Sequence, residues 1–171
     1  MKNGRKTGIY MNMSADKYFD RLNELLGKKK VLLQDMLSLT EAQTPAITSD
    51  SLDALQKLIS EKQQKIDAID KLDGEFGVYF ERLKTTLNIR KLEELDTSSL
   101  PAAARLKENT AEILELIGRI SNIEKHNNEK SKALLDTIGS KIKKLNQGIK
   151  INNAYNPAPP RTSSYFLDKK K

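Results

Sequence analysis

Cysteine and tryptophan are both absent from the 171 residues. A chain without thiols has no disulfide scaffold, no thiol nucleophile, no zinc ribbon and no cysteine-held iron–sulfur cluster. The single histidine, His126, leaves no room for a multi-histidine metal site and little for a His-based triad. Proline (5) and glycine (8) are scarce and clustered, so the stretches between clusters are long and free of breakers. No apolar run approaches the ~18–20 residues of a spanning helix, and the mean hydropathy is −0.60. The opening MKNGRKTGIYMNMSADKYF is basic but carries no apolar h-region or small-residue cleavage site. The expectation is a soluble, cytosolic protein, not an enzyme, with neither cofactor nor metal.

What the chain does have is helical spacing. From Asp16 the apolar positions Phe19, Leu22, Leu25, Leu26, Leu32, Leu33, Met36 and Leu39 lie on one face. Ser14 is the expected N-cap, since its hydroxyl can accept from an orphan amide of the first turn. Pro45 disfavours helical geometry at Thr44 and so predicts that this helix fades before it. A second helix is expected after the Thr48-Ser49-Asp50-Ser51 cluster, with Ser49 or Asp50 as cap. Its stripe of Leu52, Leu55, Ile59, Ile66, Ile69, Phe76, Phe80, Leu83 and Leu87 steps by three, four or seven, which argues for packing against other helices. Gly74 and Gly77 mark a place where it can bend or break.

Residues 88–99 read as a connector with one helical turn between Lys91 and Leu95. Pro101 suits the first turn of a third helix, where its missing amide is not needed. Leu106, Ile113, Ile117, Ile120, Leu134, Ile138, Leu145 and Ile149 then carry the stripe to about Asn152 with no proline. At 1.5 Å per residue that helix is roughly 78 Å long, more than two shorter partners can cover, so its last part is expected to project. The end, NAYNPAPPRTSSYFLDKKK, has three prolines within four residues (Pro157, Pro159, Pro160) and favours extended, disordered chain. The predicted fold is all-α: three long antiparallel helices in an elongated, coiled-coil-like bundle. Its expected divisions are a flexible start over 1–13, a helical domain over 14–152 and a disordered tail over 153–171.

The formal charge of +7 is unevenly spread. Residues 125–171 hold 11 Lys/Arg against 3 Asp/Glu, whereas residues 1–124 hold 19 against 20. A basic segment suits an acidic protein, a nucleic acid or a membrane surface, or is simply a solvated face. Nucleic acid has little else in its favour: no helix-turn-helix, no zinc finger, no RNP-type aromatics, and a single arginine, Arg161, in that segment. The same segment carries the apolar residues Leu134, Leu135, Ile138, Ile142, Leu145, Ile149 and Ile151. They are either core or an interaction face for an amphipathic partner helix, and self-association through them stays open.

Candidates for chemistry are weak. The pairs Glu93–Glu94 and Asp67–Asp70 have no histidine or glycine-rich loop beside them and read as solvated carboxylates. His126 sits in the polar interruption IEKHNNEK, where Asn127 and Asn128 either fix register from a buried position or face water. Walker, dinucleotide and EF-hand patterns are missing, so no small-molecule substrate is expected.

The segments LNELL, SLDALQKLISEKQQKIDAI, ELIGRISNIEKHNNEKSKALLDTI and the end AYNPAPPRTSSYFLDKKK together resemble the FlgN-type flagellar export chaperones, in a Firmicutes-like form. The resemblance covers roughly residues 16–171. It implies a small cytoplasmic chaperone whose partners are the hook–filament junction proteins and the cytoplasmic domain of the export gate. It also implies substrate contact through the C-terminal helix, here Leu134, Leu135, Ile138, Ile142, Leu145, Ile149 and Ile151, with Tyr155 as the gate-docking candidate. The alternative carried by the residues alone is a generic coiled-coil adaptor or a basic, nucleic-acid-associated helical protein.

Overall fold

The computed structural model describes the backbone of residues 4–155 and the side chains of residues 15–155. Three helices, α1 (Gly4–Ala46), α2 (Leu52–Leu87) and α3 (Pro101–Tyr155), follow one another, with one 3₁₀ turn at Leu92–Glu94. No strand occurs among the described residues. The all-α architecture read from the apolar spacing is the one observed.

The core up to Lys130 is built from the three stripes. Phe19, Leu22, Leu26, Leu33 and Leu37 of α1 meet Ile69 and Leu83 of α2 and Ala103, Leu106, Ile113 and Ile120 of α3. Each such aliphatic side chain withdrawn from water contributes about 1.5–3 kcal/mol. Leu106, Ile113 and Ile120 are seven residues apart, the period at which a helix keeps one face toward neighbouring helices.

Polar cross-links fix the directions. Lys29 pairs with Asp73 at 2.6 Å, Lys65 with Asp35 at 2.7 Å, and Lys62 donates to Gln43 at 3.0 Å, so α1 and α2 run antiparallel. Asn23 donates to the Ala102 carbonyl, Lys30 pairs with Glu112, and Thr44 donates to Asn127, so α1 and α3 run parallel. These pairs are partly solvated and are worth at most ~1 kcal/mol each. Their value is register.

The boundaries correct several expectations. The α1 backbone is helical from Gly4, so Ser14 lies within the helix rather than at its N-cap position. Pro45 also lies inside α1. The missing amide removes a single bond, to the carbonyl of Glu41, an exposed residue close to the helix end. The neighbouring Thr44 is held by its bond to Asn127 and by Lys130 on its carbonyl, so contacts from α3 override the local preference. At the start of α2 the cap position is Ser51, with no side-chain capping bond, rather than Ser49 or Asp50. The helix passes unbroken through Gly74 and Gly77.

It ends where Asn88 adopts the left-handed conformation (φ 53°), with Ile89 N–H bonded to the Lys84 carbonyl and Asn88 N–H to that of Thr85. Those two bonds make a Schellman turn, for which Asn is the best substitute for Gly. The connector holds its expected single turn, and Leu95 beside it is buried. Helix α3 begins at Pro101 as expected and runs three residues past Asn152, to Tyr155. The expected disordered tail lies, from residue 156 on, outside the described residues.

The chain divides after Lys130 into two units, the second beginning at Ser131.

Candidate partner-binding site

At the end of the first unit the core changes character. Asn127 continues the seven-residue series of Leu106, Ile113 and Ile120, and it is buried, as are Thr40 and Gln43. Its amide donates to the Thr40 carbonyl (3.0 Å) and its oxygen accepts from the Thr44 hydroxyl (2.7 Å). Lys62 pairs with Glu124, and the Thr40 hydroxyl donates to the Met36 carbonyl (2.7 Å). A buried amide left unpaired costs about 1–3 kcal/mol, so this layer is satisfied in one register of α1 against α3 and penalised in others. Of the two readings of Asn127 the structure decides for the buried one. Asn128 and His126 are exposed.

The second unit contains the residues singled out as a partner surface. Leu135, Ile142, Leu145, Ile149 and Ile151 are between 53% and 67% exposed, and Tyr155 is 83% exposed. Leu134 and Ile138 are half-buried. Five of these residues form a continuous seam: Leu135, Ile138, Ile142, Leu145 and Ile149 step by three, four, three and four. That is the a/d spacing of a coiled-coil strand. The seam is offset by one residue from the 106–113–120–127 series. The next members of that series are Leu134, Lys141 and Gly148, so its apolar character stops there. Ile151 and Tyr155 fall off the seam. Spacing in the sequence already carries this offset, but a ridge stepping 134, 138, 142, 145 blurs it because neighbouring leucines occupy both phases.

The rest of the segment is basic. Residues 131–155 hold Lys132, Lys141, Lys143, Lys144 and Lys150 against one acid, Asp136. Lys132 and Lys141 occupy the e- and g-type positions beside the seam, and Asp136 sits at a b-type position away from it. None of the five lysines forms an ion pair among the described residues.

Elsewhere the candidate chemistry is occupied with structure. Glu94 accepts from the Arg90 amide at 3.2 Å, and Asp67 from the Gln63 side chain at 2.8 Å. No group of three or more His, Asp or Glu side chains among the described residues is arranged to hold a metal ion. Asp96 is pulled down to about 2, first by the Ser98 hydroxyl and then by the Ser99 hydroxyl. Lys28 and Arg21, bonded to Glu24, lower its carboxyl below the usual range, while Glu24 and Glu75 hold Arg21 more firmly protonated. These are solvated ion pairs and turns rather than acid–base machinery. A shallow apolar groove of about 660 Å³ between α1 and α2, bordered by Val31, Leu32, Ala68 and Leu72, was not foreseen. Lys28, Gln64, Asp67 and Lys71 complete its lining. No described helix is long and apolar enough to cross a membrane.

In comparison with known families, a family model described as FlgN protein matches residues 11–159. No curated protein and no solved structure matches the chain.

Proposed function

Because the chain belongs to the FlgN family, whose members act as flagellar export chaperones, we propose that it binds hook–filament junction proteins in the cytoplasm through residues 134–151. It keeps them soluble and delivers them to the cytoplasmic domain of the export gate. The observation that carries this reading is the apolar seam from Leu135 to Ile149, four of whose five side chains are exposed. Five apolar side chains at coiled-coil spacing are what an amphipathic helix of a cargo protein needs. A holding function requires no nucleophile, acid or metal, only a surface whose apolar contacts can be made and released. Tyr155, at the described end of α3, is the residue assigned to gate docking.

The test is the double variant Ile142→Ala/Leu145→Ala. Both side chains are exposed, so the melting temperature is expected to change by no more than a few degrees. Affinity for a purified junction protein should fall tenfold or more, as when central apolar anchors of an interface are truncated. Unchanged affinity in the folded variant would refute the assignment. A large drop in melting temperature would show instead that the seam is core.

A further inference from the structure

We infer that the occupant of the 135–149 seam is an amphipathic helix of about four turns with acidic residues along both edges of its apolar stripe, and that a second copy of this chain does not fit. This rests on the partner-binding reading of the same segment. Four observations select the occupant. The seam has the width of two positions in seven, the geometry that accepts one helix rather than a broad hydrophobic surface. Its length, Leu135 to Ile149, is about 21 Å at 1.5 Å per residue, which sets the length of the complementary stripe. One lysine stands on each edge, Lys141 at a g-type position within the seam and Lys132 at the e-type position three residues before Leu135, and Lys143, Lys144 and Lys150 lie further round. All five are without an ion pair among the described residues.

In coiled coils the e and g side chains reach across to the partner's and choose it by sign. Two copies paired through this seam would bring together two segments that each carry five lysines against one acid, Asp136, so like charge would meet like charge. A partner with Glu or Asp at those positions would find each lysine unencumbered. The other e- and g-type positions are Leu134, Asn146 and two glycines, Gly139 and Gly148, and a Cβ at either glycine would meet nothing within 4 Å in the free protein. They leave room for a closely approaching helix without serving the fold.

The experiment uses the full chain and three labelled peptides of equal helical propensity: Leu/Ile stripe with Glu edges, the same stripe with Lys edges, and a Glu-rich peptide whose apolar residues are scrambled out of register. Fluorescence anisotropy should show the Glu-edged peptide binding about tenfold or more tightly than the Lys-edged one at low salt. The gap should narrow as salt screens the flanks. In Lys132→Glu/Lys141→Glu, two exposed positions whose change leaves the helix intact, the preference should reverse. Equal binding of the two striped peptides would overturn the inference. So would a scrambled peptide, a short DNA duplex, or vesicles of phosphatidylcholine with phosphatidylserine binding as tightly as the Glu-edged peptide. Failure here is separable from failure of the chaperone reading. A junction protein held equally by the wild type and the charge-reversed variant overturns only the charge selection. One that is not held at all, while the Glu-edged peptide is, overturns only the cargo assignment.

Discussion

Asp96 shows how much a single turn can do before a long helix begins. Its carboxylate accepts from the Ser98 amide (3.0 Å), the Ser98 hydroxyl (2.6 Å) and the Ser99 hydroxyl, fixing the chain just ahead of Leu100 and Pro101. These bonds favour the charged form and bring its pKa to about 2, against roughly 3.9 for a free aspartate. Because the folded value is the depressed one, the contribution is fully present above pH ~4 and is lost as pH falls through about 2. The carboxyl carbon of Asp96, followed by NMR, should therefore titrate near pH 2, and in Ser98→Ala it should move back toward the ordinary range. At the same scale, Asn127 could not be resolved from the sequence. An asparagine on an apolar stripe is compatible with a solvent-facing break and with a buried register lock. Only the presence of Thr40 and Thr44 across the interface, more than 80 residues away in the chain, distinguishes them.

At the scale of elements, the apolar stripes were legible because a period near 3.5 over several turns has no other common explanation. Leu106, Ile113 and Ile120 announced a buried face, and the buried face is theirs. The errors sit at breakers and caps. Pro45 stops a helix by local sterics, but here the last turn is held from outside by Asn127 and Lys130. Gly74 and Gly77 weaken a helix without forcing a bend, and the neighbouring contacts of Phe76, Tyr79 and Phe80 with the core carry α2 through. The partner surface was legible as a set of residues, whereas its phase was not, since Leu134 and Leu135 are adjacent and each fits a helical ridge. The glycines yield a clean prediction. A Cβ at Gly74 or Gly77 would meet nothing within 4 Å, so Gly74→Ala and Gly77→Ala should each stabilise the protein by roughly 0.5–1 kcal/mol, through helix propensity alone. Urea unfolding of each variant against wild type gives that difference directly, and a loss of stability would reveal a packing role for the bare backbone.

Across the whole molecule, helical structure and burial do not coincide. Residues 103–127 of α3 owe their helicity to the core, whereas from Leu135 onward the same helix has mostly exposed side chains and depends on local propensity. Isolated helical turns in water are marginal. Hydrogen exchange should find amides beyond Leu135 exchanging at least about tenfold faster than those of residues 103–127, and a bound partner should slow them. Uniform protection along α3 would mean that the segment is covered in the free protein.

The exposure of Leu135, Ile142, Leu145 and Ile149 has a calorimetric consequence. Unfolding raises heat capacity because apolar surface gains a hydration shell, by about 12–15 cal/mol/K per residue in an average domain. Side chains that are already more than half hydrated in the folded state add less to that increment, so this stretch of the chain is muted when the protein melts. The same side chains lose their water when a partner helix lies over them, and association then carries a negative heat-capacity change. The heat capacity withheld from unfolding belongs to binding.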